Sequence, residues 1–279
     1  KMKYYSLNYT MSSMKNFNKT IWMCWFQGWD TAPDLCKLCV ESWKYHNPGW
    51  DIKLLDDTTL SEYVDVEKIL PGSTKKAAPA AYSDVIRVAI LKEYGGVWSD
   101  STTFCNRPLD DWLFDAMNDS WCYYRQDCAV ASWFIAAEKD SYIMQYWYDE
   151  VVSYWTERLA GRDRMNGEYK WFHFLFAECL EKDEKFRSIF DSWEKIDCTS
   201  FEPWIRGTRP PGSRGLTAHL FTPYVKYLNE TLTPSIKTVL DNKEDAMYKL
   251  TYKCPINWRK QDTSLRHLIK SIDIDLTVE

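Results

Sequence analysis

Apolar residues come in short blocks along this chain, each stopped by glycine, proline or acidic residues, and the spacing inside a block separates strand from helix. The unbroken run Ile21-Trp22-Met23-Cys24-Trp25-Phe26 halts at Gln27-Gly28 and reads as a buried strand opening into a loop. Pro33 opens a helix whose Leu35, Leu38, Cys39 and Trp43 share one face, and Asn47-Pro48-Gly49 closes it with strong turn chemistry. Trp50–Leu55 alternates and then turns apolar, as a second strand does. Strand, helix and strand in this order predict two parallel strands joined by a right-handed crossover. Val85, Ile86, Val88, Ala89, Ile90 and Leu91 give a helical run ended by Gly95-Gly96. Glycine takes positive φ at little cost, so the backbone can reverse there into Val97-Trp98, a short buried strand that runs out at Asp100.

Beyond this point Cys105-Asn106-Arg107-Pro108-Leu109 leaves the sheet, and Trp121–Tyr124 and Val130–Ala137 read as strands. Tyr142–Leu159 and Glu168–Leu180 are aromatic-rich helices, and from Thr231 on two helical patterns flank the alternating piece Met247–Lys253. The whole predicts an α/β fold: a mixed, mostly parallel sheet flanked by helices, with a helical C-terminal lobe. Residues 1–19, polar and aperiodic, are expected to be a flexible or loosely docked lead-in to a single domain over 20–279.

Composition narrows the function classes. A net charge of -5, with no stripe of Lys and Arg interleaved with aromatics, speaks against a nucleic-acid partner. Nine Cys lack metal-finger spacing, and Cys36-x-x-Cys39 has no second pair to complete a zinc site. They read as reduced core residues, which suits a cytosol-like compartment. Asn-x-Ser/Thr patterns at Asn8, Asn18, Asn118 and Asn229 are short enough to arise by chance. With no signal-peptide pattern and no apolar run long enough for a membrane helix, the expectation is a cytoplasmic location without an intrinsic membrane segment. The opening Lys-Met-Lys leaves room for an anchor upstream.

Candidate chemistry gathers between Ser83 and Thr102. Asp100 ends a strand, the edge at which open α/β sheets bind ligands. Asp84 and Arg87, three apart, share a face of the preceding helix, and such a pair is costly to bury unless something polar meets it. An anionic, hydroxyl-rich ligand would satisfy all three. Ser83-Asp84-x-x-Arg87, Leu91, Gly95-Gly96, Trp98 and Asp100 together resemble the donor-binding core of sugar-nucleotide glycosyltransferases. The similar families are the capsular polysaccharide synthesis proteins, the yeast-type initiating mannosyltransferases and the large clostridial glucosylating toxins.

The resemblance implies a GT-A-type fold with a donor-binding half over 20–137 and an acceptor half over 138–279. It implies transfer of a hexose or pentose from a nucleotide sugar, a UDP-sugar foremost, to a hydroxyl of a glycan acceptor in surface-polysaccharide or glycoprotein-glycan synthesis. In it Ser83, Asp84 and Arg87 hold the donor sugar, and Asp100 begins an Asp-x-Asp motif that binds ribose and a divalent cation, Mn²⁺ or Mg²⁺. Here Thr102 stands where the second Asp would be, so Asp100-Ser101-Thr102 offers one carboxylate and two hydroxyls. The capsular polysaccharide branch often carries this Asp-x-Thr form. One carboxylate plus diphosphate oxygens could still hold Mg²⁺, which keeps several waters.

Other positions carry two readings each. Trp25 stacks on the nucleotide base or is a core residue. Asp56-Asp57-Thr58 caps the next helix or faces the nucleoside, and Lys75 and Lys76 meet diphosphate or solvent. Asp127 is the base that deprotonates the acceptor hydroxyl or an exposed turn residue. His173 matches a histidine that the family tends to carry in this helix, or is a hydrogen-bonded core residue. The Gly- and Pro-punctuated run Arg206–Gly215, with Arg209 and Arg214, is a lid over diphosphate or a surface loop, and His219 follows it. The resembled families end on a similar Lys-Leu-Thr-Tyr-Lys segment near the active site, so Lys249 or Lys253 could reach phosphate. Two rival functions stand beside the transferase: a non-catalytic carbohydrate-binding protein on the same fold, and a glycoside hydrolase using paired carboxylates.

Overall fold

A computed structural model describes residues 17–72, 78–125, 128–198, 228–229, 231–243, 245–253 and 255–274. In chain order its principal elements are β1 (Thr20–Cys24), α1 (Asp34–His46), β2 (Asp51–Leu55), α2 (Pro79–Tyr94), β3 (Gly96–Ser99) and β4 (Thr103–Cys105). They continue as β5 (Ser120–Arg125), β6 (Ala129–Ala137), α3 (Tyr142–Leu159), α4 (Trp171–Lys182), α5 (Glu184–Ser192), α6 (Pro234–Asp241), β7 (Met247–Lys249) and α7 (Ser264–Lys270). Among the described residues no helix is long and apolar enough to cross a membrane.

These elements group into two compact units interleaved along the sequence. The first falls within Lys1–Trp29, Asp51–Ser99 and Leu113–Lys195, the second within Asp30–Trp50, Asp100–Trp112 and Ile196–Glu279. The boundaries thus differ from a division at residue 137.

The first unit holds a five-stranded mixed sheet in the order β2-β1-β3-β6-β5. β1 pairs in parallel with β2 and β3, and β6 pairs antiparallel with β3 and β5. The β1–β2 parallel pairing is the one that the strand-helix-strand pattern predicts, although the connecting α1 belongs to the second unit. The lead-in is firmly docked in its last residues: Phe17 is buried edge-on to Phe114 at 5.3 Å, and the Lys19 carbonyl accepts from the Asp51 N–H.

The α2–β3 junction explains the paired glycines. Gly95 has φ +66° and Gly96 φ +93°. A Cβ on Gly96 would lie 2.5 Å from the Thr20 carbonyl oxygen, and one on Gly95 2.6 Å from the Lys139 backbone nitrogen. The last carbonyls of α2 are met by β1 and its lead-in, with Asn18 Nδ2 donating to Tyr94 at 2.8 Å and Trp22 Nε1 donating to Gly95 at 3.0 Å. These bonds occupy acceptors that a helix end leaves open.

Helices α3, α4 and α5 belong to the same unit and meet through aromatic rings. Trp147 stacks on Phe172 at 4.1 Å, Tyr154 on Trp171 at 5.3 Å, and Phe176 meets Phe186 at 4.9 Å. Among the described residues, much of the tryptophan and phenylalanine is therefore core. Asp119 caps α3, accepting from the Ser141 hydroxyl at 2.6 Å and the Tyr142 N–H at 2.8 Å.

In the second unit α1 lies on the two-stranded β4–β7 sheet, which α6 and α7 help bury. Leu35, Leu38, Cys39, Phe104, Ile236, Tyr248, Leu265 and Ile269 share its core. Trp43 Nε1 donates to the Thr103 carbonyl at 2.8 Å, and the Ser42 hydroxyl accepts from the Cys105 N–H at 2.8 Å. The sequence reading has Cys105-Asn106-Arg107-Pro108-Leu109 leaving the sheet and shows no separate strand just before it; Thr103–Cys105 forms β4, paired antiparallel with β7, and Cys105 is its last residue. The strand expected over Met247–Lys253 spans only Met247–Lys249.

Gly96→Ala is expected to cost about 3 kcal/mol of stability or more, because backbone strain adds to a clash with a carbonyl that cannot rotate away. Gly161→Ala, at φ +84° with nothing near its Cβ, should show strain alone, about 1 kcal/mol. Urea unfolding of the two variants checks this, and equal midpoints would contradict it.

Candidate functional site

In the first unit the functional candidates stand at the carboxyl end of the parallel strands and on the first half of α2. β1 stops where the Gly28 N–H turns back to the Trp25 carbonyl at 3.0 Å, leaving Trp25 half-buried just past the strand and tied to the Leu55 carbonyl at 2.9 Å. Phe26 then meets Tyr82 with ring centroids 5.5 Å apart. One contact thus draws the residue after Trp25 to the residue before Ser83. Tyr82 is held above the usual phenol range, first by burial and then by Asp57, Glu67 and Asp65 nearby. Asp56 serves its own turn, accepting from the Thr58 and Thr59 N–H groups at 2.9 and 3.0 Å, whereas the next helical turn, Leu60–Glu62, starts at Thr59 with no side-chain cap.

The central side chain is Arg87, 4% exposed. Its Nη2 lies 3.3 Å from Asp84 Oδ1 and donates to Ser83 Oγ at 3.0 Å; Nε donates to the Ser83 carbonyl at 3.3 Å, and Nη1 donates to the Ser132 carbonyl on β6. Its guanidinium carbon is 5.3 Å from the Trp98 ring and 5.8 Å from that of Phe172. A planar fork with its donors turned to several fixed acceptors acts on its neighbours. Arg87 therefore positions Ser83 and Asp84, while the Asp84 side chain keeps 14% of its surface. His173 is half-buried on α4, its ring edge-on to Phe172 at 6.0 Å.

The strand-end acid belongs to the second unit. The Asp100 carbonyl accepts from the Thr103 N–H at 2.9 Å, making a tight turn of Asp100-Ser101-Thr102. Opposite it on β7, Lys249 pairs in register with Thr103 and sends its Nζ to Asp100 Oδ2 at 3.0 Å and Thr102 Oγ1 at 2.5 Å. Lys253 is exposed. Cys36 and Cys39 on α1 are buried thiols; burial pushes Cys36 up to about 12, with nearby Lys249 pulling the other way. Among the described residues no group of three or more His, Cys, Asp or Glu could hold a metal ion.

Asp84 and Arg87 thus belong to one unit and Asp100 to the other. Asp127, Arg209, Arg214, His219, Lys75 and Lys76 lie outside the described residues. A cavity of about 710 Å³ in the first unit is lined by Lys92, Asp119, Ser141 and Tyr142 among others, and no sequence-predicted candidate lines it. Two contacts escaped the sequence reading: Ser132 as an acceptor for Arg87, and Lys249 as the partner of Asp100. The first comes from packing of α2 on β6 and the second from the β4–β7 pairing, each between distant segments.

A family model described as capsular polysaccharide synthesis protein matches residues 1–204, a span that includes the whole of Ser83–Thr102. The chain belongs to the capsular polysaccharide synthesis protein family. It is similar to the glycosyltransferase afumC of Aspergillus fumigatus, 25% identical over 158 residues, covering 49% of this chain and 40% of that one. It is also similar to the probable glycosyltransferase FCK3 of Fusarium pseudograminearum, 28% identical over 157 residues, covering 50% and 40%. The matches therefore span well under half the length of these relatives. Among solved structures it matches the PaToxG glycosyltransferase at 17% identity and TM-score 0.40, covering 67% of this chain and 80% of that one. It also matches the apo glycosyltransferase GlyE of Streptococcus pneumoniae at 11% and 0.48, covering 93% and 61%.

For this member of the capsular polysaccharide synthesis family, Arg87→Met is expected to cost about 3 kcal/mol, because it removes the guanidinium from the largely buried Asp84 carboxylate and from the Ser83 and Ser132 acceptors. Asp84→Asn, which keeps the shape and loses the charge, should cost about 1 kcal/mol. Urea unfolding of the two single variants and the double variant checks this, and a coupling energy below about 0.5 kcal/mol would show that the pair does not act as a unit.

Proposed function

We propose that this protein is a glycosyltransferase that moves a hexose or pentose from a nucleotide sugar, a UDP-sugar foremost, to a hydroxyl of a glycan acceptor in surface-polysaccharide or glycan synthesis. The observation that carries the reading is the family match over residues 1–204, with the Ser83-Asp84-x-x-Arg87 motif inside it. The two relatives named above, a glycosyltransferase and a probable glycosyltransferase, support it.

In such a transfer the bond between the anomeric carbon and the diphosphate oxygen breaks with its electron pair staying on that oxygen. The acceptor oxygen bonds to the carbon, and its proton passes to a base. Asp127 is the proposed base. Asp84 is suited to accept hydrogen bonds from sugar hydroxyls, because Arg87, Ser83 and the β6 backbone fix its helix turn before a ligand arrives. A half-buried Trp25, tethered at the end of β1, offers a flat face to a base.

Screening nucleotide sugars for slow hydrolysis, with and without Mn²⁺, tests the reading. One donor is expected to be turned over, and Asp84→Asn should lower that rate by about a hundredfold, some 2.7 kcal/mol of barrier, at near wild-type melting temperature. Binding of glycan without binding of any nucleotide would favour the carbohydrate-binding protein instead.

A further inference from the structure

The Asp-x-Asp resemblance implies a divalent cation at Asp100, and the residues around Asp100 do not fit one. Mg²⁺ is commonly bound through one or two carboxylates together with waters and substrate phosphates, so the fit turns on what the carboxylate already holds. The turn offers a single carboxylate, and that carboxylate already holds a cation: Lys249 Nζ lies 3.0 Å from Asp100 Oδ2. The hydroxyl of Thr102, standing where the second carboxylate would be, accepts from the same ammonium at 2.5 Å. A divalent ion on these two oxygens would displace the ammonium or sit against its charge.

We infer that Lys249 is the resident cation of the Asp100-Ser101-Thr102 turn, and that its ammonium, in place of a divalent ion, binds the diphosphate of a nucleotide-sugar donor. The inference rests on the function proposed above. An ammonium has three N–H donors. Asp100 and Thr102 take two of them, and the third is left for a phosphate oxygen.

The head group is held in place from several directions. Lys249 sits on β7 opposite Thr103, and the Leu250 N–H donates to the Thr102 carbonyl at 2.8 Å, so strand and turn move together. Its side chain is 11% exposed, while Asp100 beside it is 27% exposed, which leaves the ion pair one open side. The thiols of Cys36 and Cys39 stay protonated and contribute no second anion. When the glycosidic bond to the diphosphate breaks, the electron pair stays on the departing oxygen. Lys249 neutralises part of that charge while keeping its own proton.

Calorimetric titration of the full chain with UDP and GDP, in excess EDTA or in MnCl₂, and with MnCl₂ alone, tests the inference. For the wild type, nucleotide affinity is expected to agree within about twofold between EDTA and Mn²⁺, with no Mn²⁺ bound at Asp100. Lys249→Met should weaken nucleotide binding by about tenfold or more, the loss of one charge-assisted bond, and Lys249→Arg should restore most of it. The double variant Thr102→Asp/Lys249→Met, which rebuilds the two-carboxylate motif without the ammonium, should gain Mn²⁺-dependent nucleotide binding.

Tightening of nucleotide binding to the wild type by about tenfold on adding Mn²⁺ would overturn the inference and leave the transferase reading standing. So would Mn²⁺ binding that Asp100→Ala abolishes, or wild-type affinity in a Lys249→Met variant with unchanged melting temperature. Should Lys249→Met fail to fold, the wild-type comparison and Lys249→Arg decide. A wild type that binds neither nucleotide under either condition overturns the proposed function and the phosphate role of Lys249 together.

Discussion

The close approach of β1 to β3, permitted only by the absence of a side chain at Gly96, is the constraint on which the first unit depends. Two glycines at positive φ let α2 end and β3 begin without an intervening loop. The carbonyls left at the helix end go to Asn18 and Trp22, so the reversal is bonded as well as sterically allowed. With the helix end pinned, Ser83, Asp84 and Arg87 are set by helix geometry some two to three turns upstream. Conformational freedom at one point of the backbone thereby becomes rigidity at the chemically interesting residues.

Two cations, Arg87 buried and Lys249 half-buried, organise the candidate chemistry in different ways. Arg87 spreads its fork over the backbone and side chain of Ser83, the carboxylate of Asp84 and a carbonyl from β6, between two aromatic rings. Replacing it with lysine would keep the charge and lose the geometry, since a point charge cannot meet several acceptors in one plane. Lys249 is the opposite case. It reaches its site along a short strand, meets two oxygens and retains a donor, the arrangement expected of a cation meant to meet something more.

What could be read from the sequence was what depends on neighbouring residues. Ile21–Phe26 announces β1, the Leu35, Leu38, Cys39 and Trp43 face announces α1, and Gly95-Gly96 marks the α2–β3 reversal, because periodicity and turn chemistry are local. Tyr142–Leu159 falls on α3 residue for residue. β4 was invisible for the converse reason: Thr103-Phe104-Cys105 is too short to show a period, and its partner, β7, lies far down the chain. Helix α5 also escaped, since only Phe186 and Phe190 on it are buried apolar residues, one turn apart amid charged neighbours. The division into interleaved units was illegible too, because α1 reads as the crossover of one sheet while packing onto another. Of the candidate site, residue types, spacing and the Asp84–Arg87 pairing were legible, but the long-range bonding was not: one partner of Arg87 lies on β6 and one of Asp100 on β7.

Charge bookkeeping at the Asp100 turn joins these threads. Two carboxylates with a divalent cation are locally neutral, and so are one carboxylate and one ammonium. Thr102 in place of an acid therefore need not record decay of a metal motif, since Lys249 arriving from β7 compensates the change within the second unit. An acid at Thr102 would add negative charge to the turn, and an apolar residue at Lys249 would remove the ammonium from Asp100. The two positions form one electrostatic element, and the β4–β7 pairing that brings them together is as much a part of the site as the side chains are.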